Sequence, residues 1–121
     1  MAGQTLPQSL PKRLQRRADF LRLAAQGGKL VRPGFLLQAV EPAPELRVGF
    51  TATKKLGNAV TRNRAKRRLR EAARLVLANR PELRAELVLV GRRETGTMDF
   101  AKLRHNLEAA LNEALKSEQA K

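Results

Sequence analysis

Between Lys54 and Arg74, nine of 21 residues are cationic, and their spacing says more than their number. Ala65, Leu69, Ala72 and Val76 follow one another at intervals of four, three and four, which on a helix of about 3.6 residues per turn makes one apolar stripe. Counting about 100° per residue, Arg62, Asn63, Lys66, Arg67, Arg70 and Arg74 fall within an arc of roughly 140° that points away from the stripe. Like charges four residues apart on a helix repel by a few tenths of a kcal/mol per pair, so a helix built only for stability would have placed Glu among them. A polyanion on that face removes the repulsion. The chemistry these residues offer is therefore recognition of phosphates.

The rest of the chain points the same way. Its formal net charge is +14 on 121 residues, with an isoelectric point near 11.6, an excess that attracts phosphate backbones or anionic membrane. A helix lying on a membrane needs bulky apolar residues opposite its charges, whereas this stripe is mostly Ala, Leu and Val, suited to packing on a sheet. No apolar run reaches about 18 residues, and no signal peptide is expected at the amino terminus, so a cytoplasmic location with no membrane partner follows. The absence of cysteine removes disulfides, cysteine zinc sites and thiol catalysis together.

A protein catalyst needs an acid, a base, a nucleophile or metal ligands brought together, and the sequence is poor in each. His105 is the only histidine and reads as a surface residue of the last helix. Asp19 and Asp99 are the only aspartates, and both fall at expected helix starts, where a carboxylate caps free backbone amides. Gly57 has no partner glycines at phosphate-loop spacing. The chain alone is expected to catalyse nothing and to bind no metal or cofactor. Aromatic residues able to stack on bases are limited to four Phe. Phe50 and Phe100 read as core, Phe35 lies on the opposite strand face from Gln38, and Phe20 is left open between base stacking and packing.

The elements that must position these residues follow from periodicity. A first helix is expected from about Arg17 to Gln26, with Leu21, Ala24 and Ala25 facing inward and Gly27-Gly28 as its stop. Phe35 to Val40 reads as a strand, and Glu41-Pro42-Ala43-Pro44-Glu45 as a reversal. Leu46, Val48, Phe50 and Ala52 alternate with Arg47, Gly49, Thr51 and Thr53, the period of a strand with one buried face. Asn58 caps the basic helix, which ends near Asn79 or Arg80 before Pro81. Leu87 to Gly91 reads as a strand buried on both faces. Thr97 or Asp99 opens a last helix whose apolar face runs from Phe100 through Leu115. Helix, strands, helix, strand, helix makes an α+β sandwich in one domain over 13–116, with frayed ends at 1–12 and 117–121.

The string Lys54-Lys55-x-Gly57-Asn58-Ala59-Val60-x-Arg62-Asn63-Arg64-x-Lys66-Arg67-x-x-Arg70-Glu71 resembles the signature of the protein subunit of bacterial ribonuclease P. The flanking order agrees over about residues 10–116, with Asp19-Phe20 in a basic start and Arg47-Val48-Gly49-Phe50 before the motif. The resemblance implies an α-β-β-β-α-β-α order with a left-handed crossover. It implies a ribonucleoprotein whose RNA subunit carries catalytic magnesium and removes the 5′ leader of precursor tRNA, the protein joining it in a 1:1 particle and lowering its magnesium requirement. Carried over by position, Arg62, Asn63, Arg64, Lys66, Arg67, Arg70 and Arg74 face the RNA subunit. Phe20, Gln38, Thr51 and Thr53 form a leader cleft, with Lys54 and Lys55 at its edge. Family members often carry aromatics where this chain has Ala24 and Gln38, so stacking in the cleft is expected to be weaker.

Two other classes stay open at this stage. A ribosomal or other structural RNA-binding protein also pairs a sheet with a basic helix that reads A-form RNA by shape. A DNA-binding protein would lay the basic helix in a major groove, but a strand rather than a helix-turn-helix partner precedes it.

Overall fold

The computed structural model describes residues 12–13, 17–26 and 28–115; the ends expected to be frayed lie outside these, apart from Lys12. In chain order they form β1 (Lys12–Arg13), α1 (Arg17–Gln26), β2 (Gly28–Arg32), β3 (Phe35–Val40), β4 (Arg47–Ala52), α2 (Ala59–Leu77), β5 (Glu86–Gly91) and α3 (Phe100–Ala114). Single 3-10 turns at Lys54–Leu56 and Arg93–Gly96 join β4 to α2 and β5 to α3. The strands make one mixed sheet in the order β1-β4-β5-β3-β2. β4 and β5 are adjacent and parallel, so α2 is the crossover between them, while β3 runs antiparallel to both β5 and β2.

The α+β reading holds in the α-β-β-β-α-β-α order that the resemblance implies, with β1 added before it. Periodicity does not announce β2: it is an edge strand whose Val31 is 50% exposed, so Gly28-Lys29-Leu30-Val31-Arg32 carries little apolar signal. β1 adds a two-residue parallel pairing to β4.

β5 lies in the middle of the sheet, and its successive residues divide between the two faces. Leu87 and Leu89 join α2, α3 and the inner residues of β3 and β4 in the main core, which includes Phe35, Leu37, Val48, Phe50, Leu69 and Leu107. Val88 points the other way, against Leu23 of α1. Among the described residues only α1 covers that second face, and it leaves part of the sheet uncovered by them.

The turn between β2 and β3 is locked to the turn after β5. Gly34 has φ +100°, and a Cβ there would lie 2.6 Å from Met98 Sδ and 2.7 Å from Leu103 Cδ1, so both backbone and space require glycine. Thr95, fully buried, donates from Oγ1 to the Gly34 carbonyl at 2.5 Å and accepts from the Arg92 N–H at 2.7 Å. No helix among the described residues is long and apolar enough to cross a membrane.

Candidate nucleic-acid interface

α2 begins where the sequence says it should. Gly57 takes φ +118°, a conformation that L side chains rarely adopt, and turns the chain out of the 3-10 turn. Asn58 then caps the helix, its Oδ1 accepting from the Thr61 N–H at 3.0 Å. Ala65, Leu69, Ala72 and Val76 are all buried, as their spacing requires, but Ala73 and Leu77 are buried too. α2 packs on α3 as well as on the sheet, so its apolar face is wider than a four-residue stripe.

That width corrects the cationic arc. Arg62, Lys66, Arg70 and Arg74 do not point straight away from the core; they are half-buried on its shoulder, while Asn63, Arg64 and Arg67 are exposed. Arg62 donates to the Gly57 carbonyl at 2.7 Å. The Arg70 guanidinium sits 5.7 Å from the centre of the Phe50 ring, within cation–π range. Arg74 bonds Glu71, Nε to Oε1 at 3.1 Å, which holds the Glu71 carboxyl below its usual range. Arg68, on the opposite shoulder, donates to the Met98 carbonyl and lies 5.7 Å from the Phe100 ring centre, tying α2 to the start of α3.

The second site is a groove beside α1. Phe20 of α1, Gln38 of β3 and Thr51 and Thr53, in and just after β4, line one cavity of about 480 Å³ together with Arg17, Val88 and Val90. The parallel and antiparallel registers explain the meeting: Gln38 pairs with Val88, and Thr51 with Val90, so all four point to the face that α1 only partly covers. An aromatic ring, an amide, two hydroxyls and a guanidinium around an apolar floor suit a single strand with its bases stacked and its phosphates paired.

Lys55 lies apart from this groove. With Thr53, Leu36, Val90, Arg92 and Arg93 it borders a neighbouring cavity of about 520 Å³, so Thr53 and Val90 are shared walls. Lys54, also at the expected edge, is exposed on the same 3-10 turn.

α1 itself sits in a different phase from the one expected. Leu23 is buried and Phe20 half-buried, while Leu21, Ala24 and Ala25 face solvent. Asp19 is not a cap: it lies in the first turn of α1, where it bonds Arg22 at 3.1 Å and lies 3.6 Å from Arg47. Glu86, at the start of β5, accepts from the same two arginines at 2.6 and 3.3 Å. The Glu86 bond first, and the Asp19 bond second, hold the Arg22 guanidinium above its ordinary range. Asp99 is the true cap of α3, accepting from the Lys102 N–H at 3.1 Å, and His105 is exposed.

Residues 9–115 match the sequence model of the family described as Ribonuclease P. The chain belongs to the ribonuclease P protein family. It is 47% identical over 104 residues to the ribonuclease P protein component of Gluconacetobacter diazotrophicus, covering 84% of this chain and 90% of that one. It is 48% identical over 103 residues to that of Caulobacter vibrioides, covering 83% and 68%. Among solved structures, the ribonuclease P protein of Thermotoga maritima superposes with a TM-score of 0.72 at 28% identity, covering 84% of this chain and 96% of that one. That of Staphylococcus aureus gives 0.71 at 28%, covering 85% and 94%. The protein is thus the RNA-binding subunit of the ribonuclease P ribonucleoprotein, an endoribonuclease of tRNA processing, and is not itself the catalyst.

Several residues at these sites give no warning in the sequence. Arg17 is there only the start of a helix, and Arg92 and Arg93 carry no reading at all, because nothing local says that β5 delivers them beside Lys55. Glu94, on the rim of the same cavity, accepts from the Gly34 N–H at 3.2 Å. Hydrogen bonds from its own backbone N–H and from that of Gly34, helped by Arg92 and Arg93, hold its carboxyl below the ordinary range. A depressed carboxyl pKa stabilises the fold above the unfolded-state value, and that contribution is lost as pH falls through the folded-state value. Glu94→Gln is therefore expected to lower stability at neutral pH and to flatten its decline below about pH 4.5; thermal melts of both proteins from pH 7 to pH 3 check it, and parallel curves would exclude this role.

Proposed function

We propose that this subunit binds the catalytic RNA through the exposed face of α2 and the 5′ leader of precursor tRNA through the groove beside α1. In this reading it acts as a 1:1 partner of the RNA, in the cytoplasm. The observation that carries it is the groove: Phe20, Gln38, Thr51 and Thr53 come from three separate segments of the chain, yet they line one cavity with Arg17.

Each group has work suited to its chemistry. The Phe20 ring offers a stacking surface, Gln38, Thr51 and Thr53 offer hydrogen bonds, and Arg17 offers a charge to phosphate. Lys54, Lys55, Arg92 and Arg93 extend the positive field beyond the groove. Among the described residues no three His, Asp or Glu side chains are grouped to hold a metal ion; in this reading the magnesium is carried by the RNA. Cationic side chains lower the repulsion between the two RNAs, so fewer metal ions are needed to hold them together.

Reconstitution tests this directly. The chain, mixed with a bacterial ribonuclease P RNA and precursor tRNA, is expected to give 5′ cleavage at magnesium concentrations where that RNA alone is nearly inactive. Absence of any stimulation, or stimulation that is equal for precursors with a long leader and with a single-nucleotide leader, would overturn the assignment.

A further inference from the structure

We infer that Asp19, Arg22, Arg47 and Glu86 form a latch that fixes α1 over the sheet, and that Glu86, which lies outside the groove, is a positioning residue for the strand the groove holds. The inference rests on the leader reading above and adds to it a residue that touches no RNA.

α1 needs such a latch because, among the described residues, little else holds it. Its 10 residues fall short of the roughly 12–15 at which an isolated helix becomes even marginal in water. Leu23 is its one fully buried side chain among the described residues. The apolar cluster on that face is Leu23 and Val88, with Phe20, Val40 and Val90 partly buried around them, and Leu21 is 57% exposed. Apolar burial of that extent presses the helix against the sheet but leaves its tilt and slide weakly set.

The charges supply what the apolar contact lacks. Glu86 is only 7% exposed, and its carboxylate takes Arg22 from α1 at 2.6 Å and Arg47 from β4 at 3.3 Å. Asp19 closes the ring from the helix side at 3.1 and 3.6 Å. Each guanidinium bridges the two carboxylates through separate nitrogens, which fixes its direction as well as its distance, so the ring sets both the height of α1 and its angle across β4 and β5. Phe20 follows Asp19 directly and precedes Arg22 by two residues, so any shift of the latch moves the ring at the groove. Two carboxylates cancel two guanidinium groups, which makes the network electrically neutral and a poor attractor of phosphate. A buried carboxylate deprived of its partners is costly, so the helix is either latched or displaced.

The test uses holoenzyme reconstituted with ribonuclease P RNA and carrying Glu86→Gln, Glu86→Asp or Phe20→Ala. Affinities for precursor and mature tRNA are measured beside amide hydrogen exchange of the free protein. Glu86→Gln is expected to weaken precursor binding about tenfold, as when α1 is docked a tenth of the time, with mature tRNA and RNA-subunit affinity unchanged. Amides of α1 should exchange faster while those of α2 and β5 keep their protection, and Glu86→Asp should restore part of both effects. Unchanged α1 exchange overturns the latch, and so does faster exchange with undiminished precursor binding, a rise in affinity from freed arginines, or uniform loss of protection across the chain. If Phe20→Ala also leaves the preference for precursor untouched, it is the leader reading that falls, and exchange at α1 then decides the latch.

Discussion

Alanine at both Arg64 and Arg67 is expected to weaken binding to the ribonuclease P RNA by about 3 kcal/mol, roughly a hundredfold in Kd, while the melting temperature hardly moves. The figure takes each guanidinium at the lower end of a charge-assisted hydrogen bond, about 1.5 kcal/mol. These two arginines are the exposed cations of α2, so truncation removes charge and little packing. Arg62, Lys66, Arg70 and Arg74 are poorer choices: all are half-buried on the shoulder of the core, and Arg70 lies over Phe50. The slope of log affinity against log salt should shrink by roughly one for each phosphate that no longer meets a cation. Filter binding across a salt series beside a thermal melt reads both quantities. An unchanged slope would move the RNA-binding surface off this face. Arg68→Ala is the useful contrast, since Arg68 bonds the Met98 carbonyl and stacks near Phe100, and its loss should lower the melting temperature.

The α2 helix is legible because its information is local. Gly57 and Asn58 specify the turn and the cap, and the four-three-four spacing of Ala65, Leu69, Ala72 and Val76 phases the helix correctly. Ala73 and Leu77 escape such a reading because their burial depends on α3, which packs from a second direction and which no spacing within α2 announces. With them goes the true position of Arg62, Lys66, Arg70 and Arg74. β5, a continuous apolar run, and the alternating β4 are equally readable. β2 is not, since an edge strand with one exposed face needs few apolar residues.

The α1 region shows where local reading ends. Leu21, Ala24 and Ala25 look like an inward face, yet Phe20 and Leu23 take it, because a partner as distant as Glu86, 64 residues from Arg22 along the chain, decides the rotation of a short helix. Asp19 looks like a cap for the same reason: its partner Arg47 lies in another element. The groove residues Gln38, Thr51 and Thr53 carry no motif of their own. The family resemblance names them, and the strand registers explain why they converge.

Phe20 carries the other large effect. Phe20→Ala is expected to weaken binding of precursor tRNA by about 1–3 kcal/mol, the range for losing one base stacked on an aromatic side chain, with mature tRNA unaffected because it has no leader. Phe20 is half-buried at the edge of a small satellite cluster, outside the main core, so its truncation should cost well under the roughly 3–5 kcal/mol of a fully buried Phe. With Gln38 facing the groove where an aromatic would stack, and Ala24 turned to solvent, no second ring stands ready to take the base. The loss should therefore be carried by a single residue. Phe20→Leu separates stacking from packing: it keeps most of the apolar contact to Leu23 and Val88 but removes the ring face, so it should melt like the wild type and bind precursor tRNA like Phe20→Ala. Equal losses for precursor and mature tRNA, together with a destabilised melt, would make Phe20 a structural residue and leave α2 as the RNA-binding face.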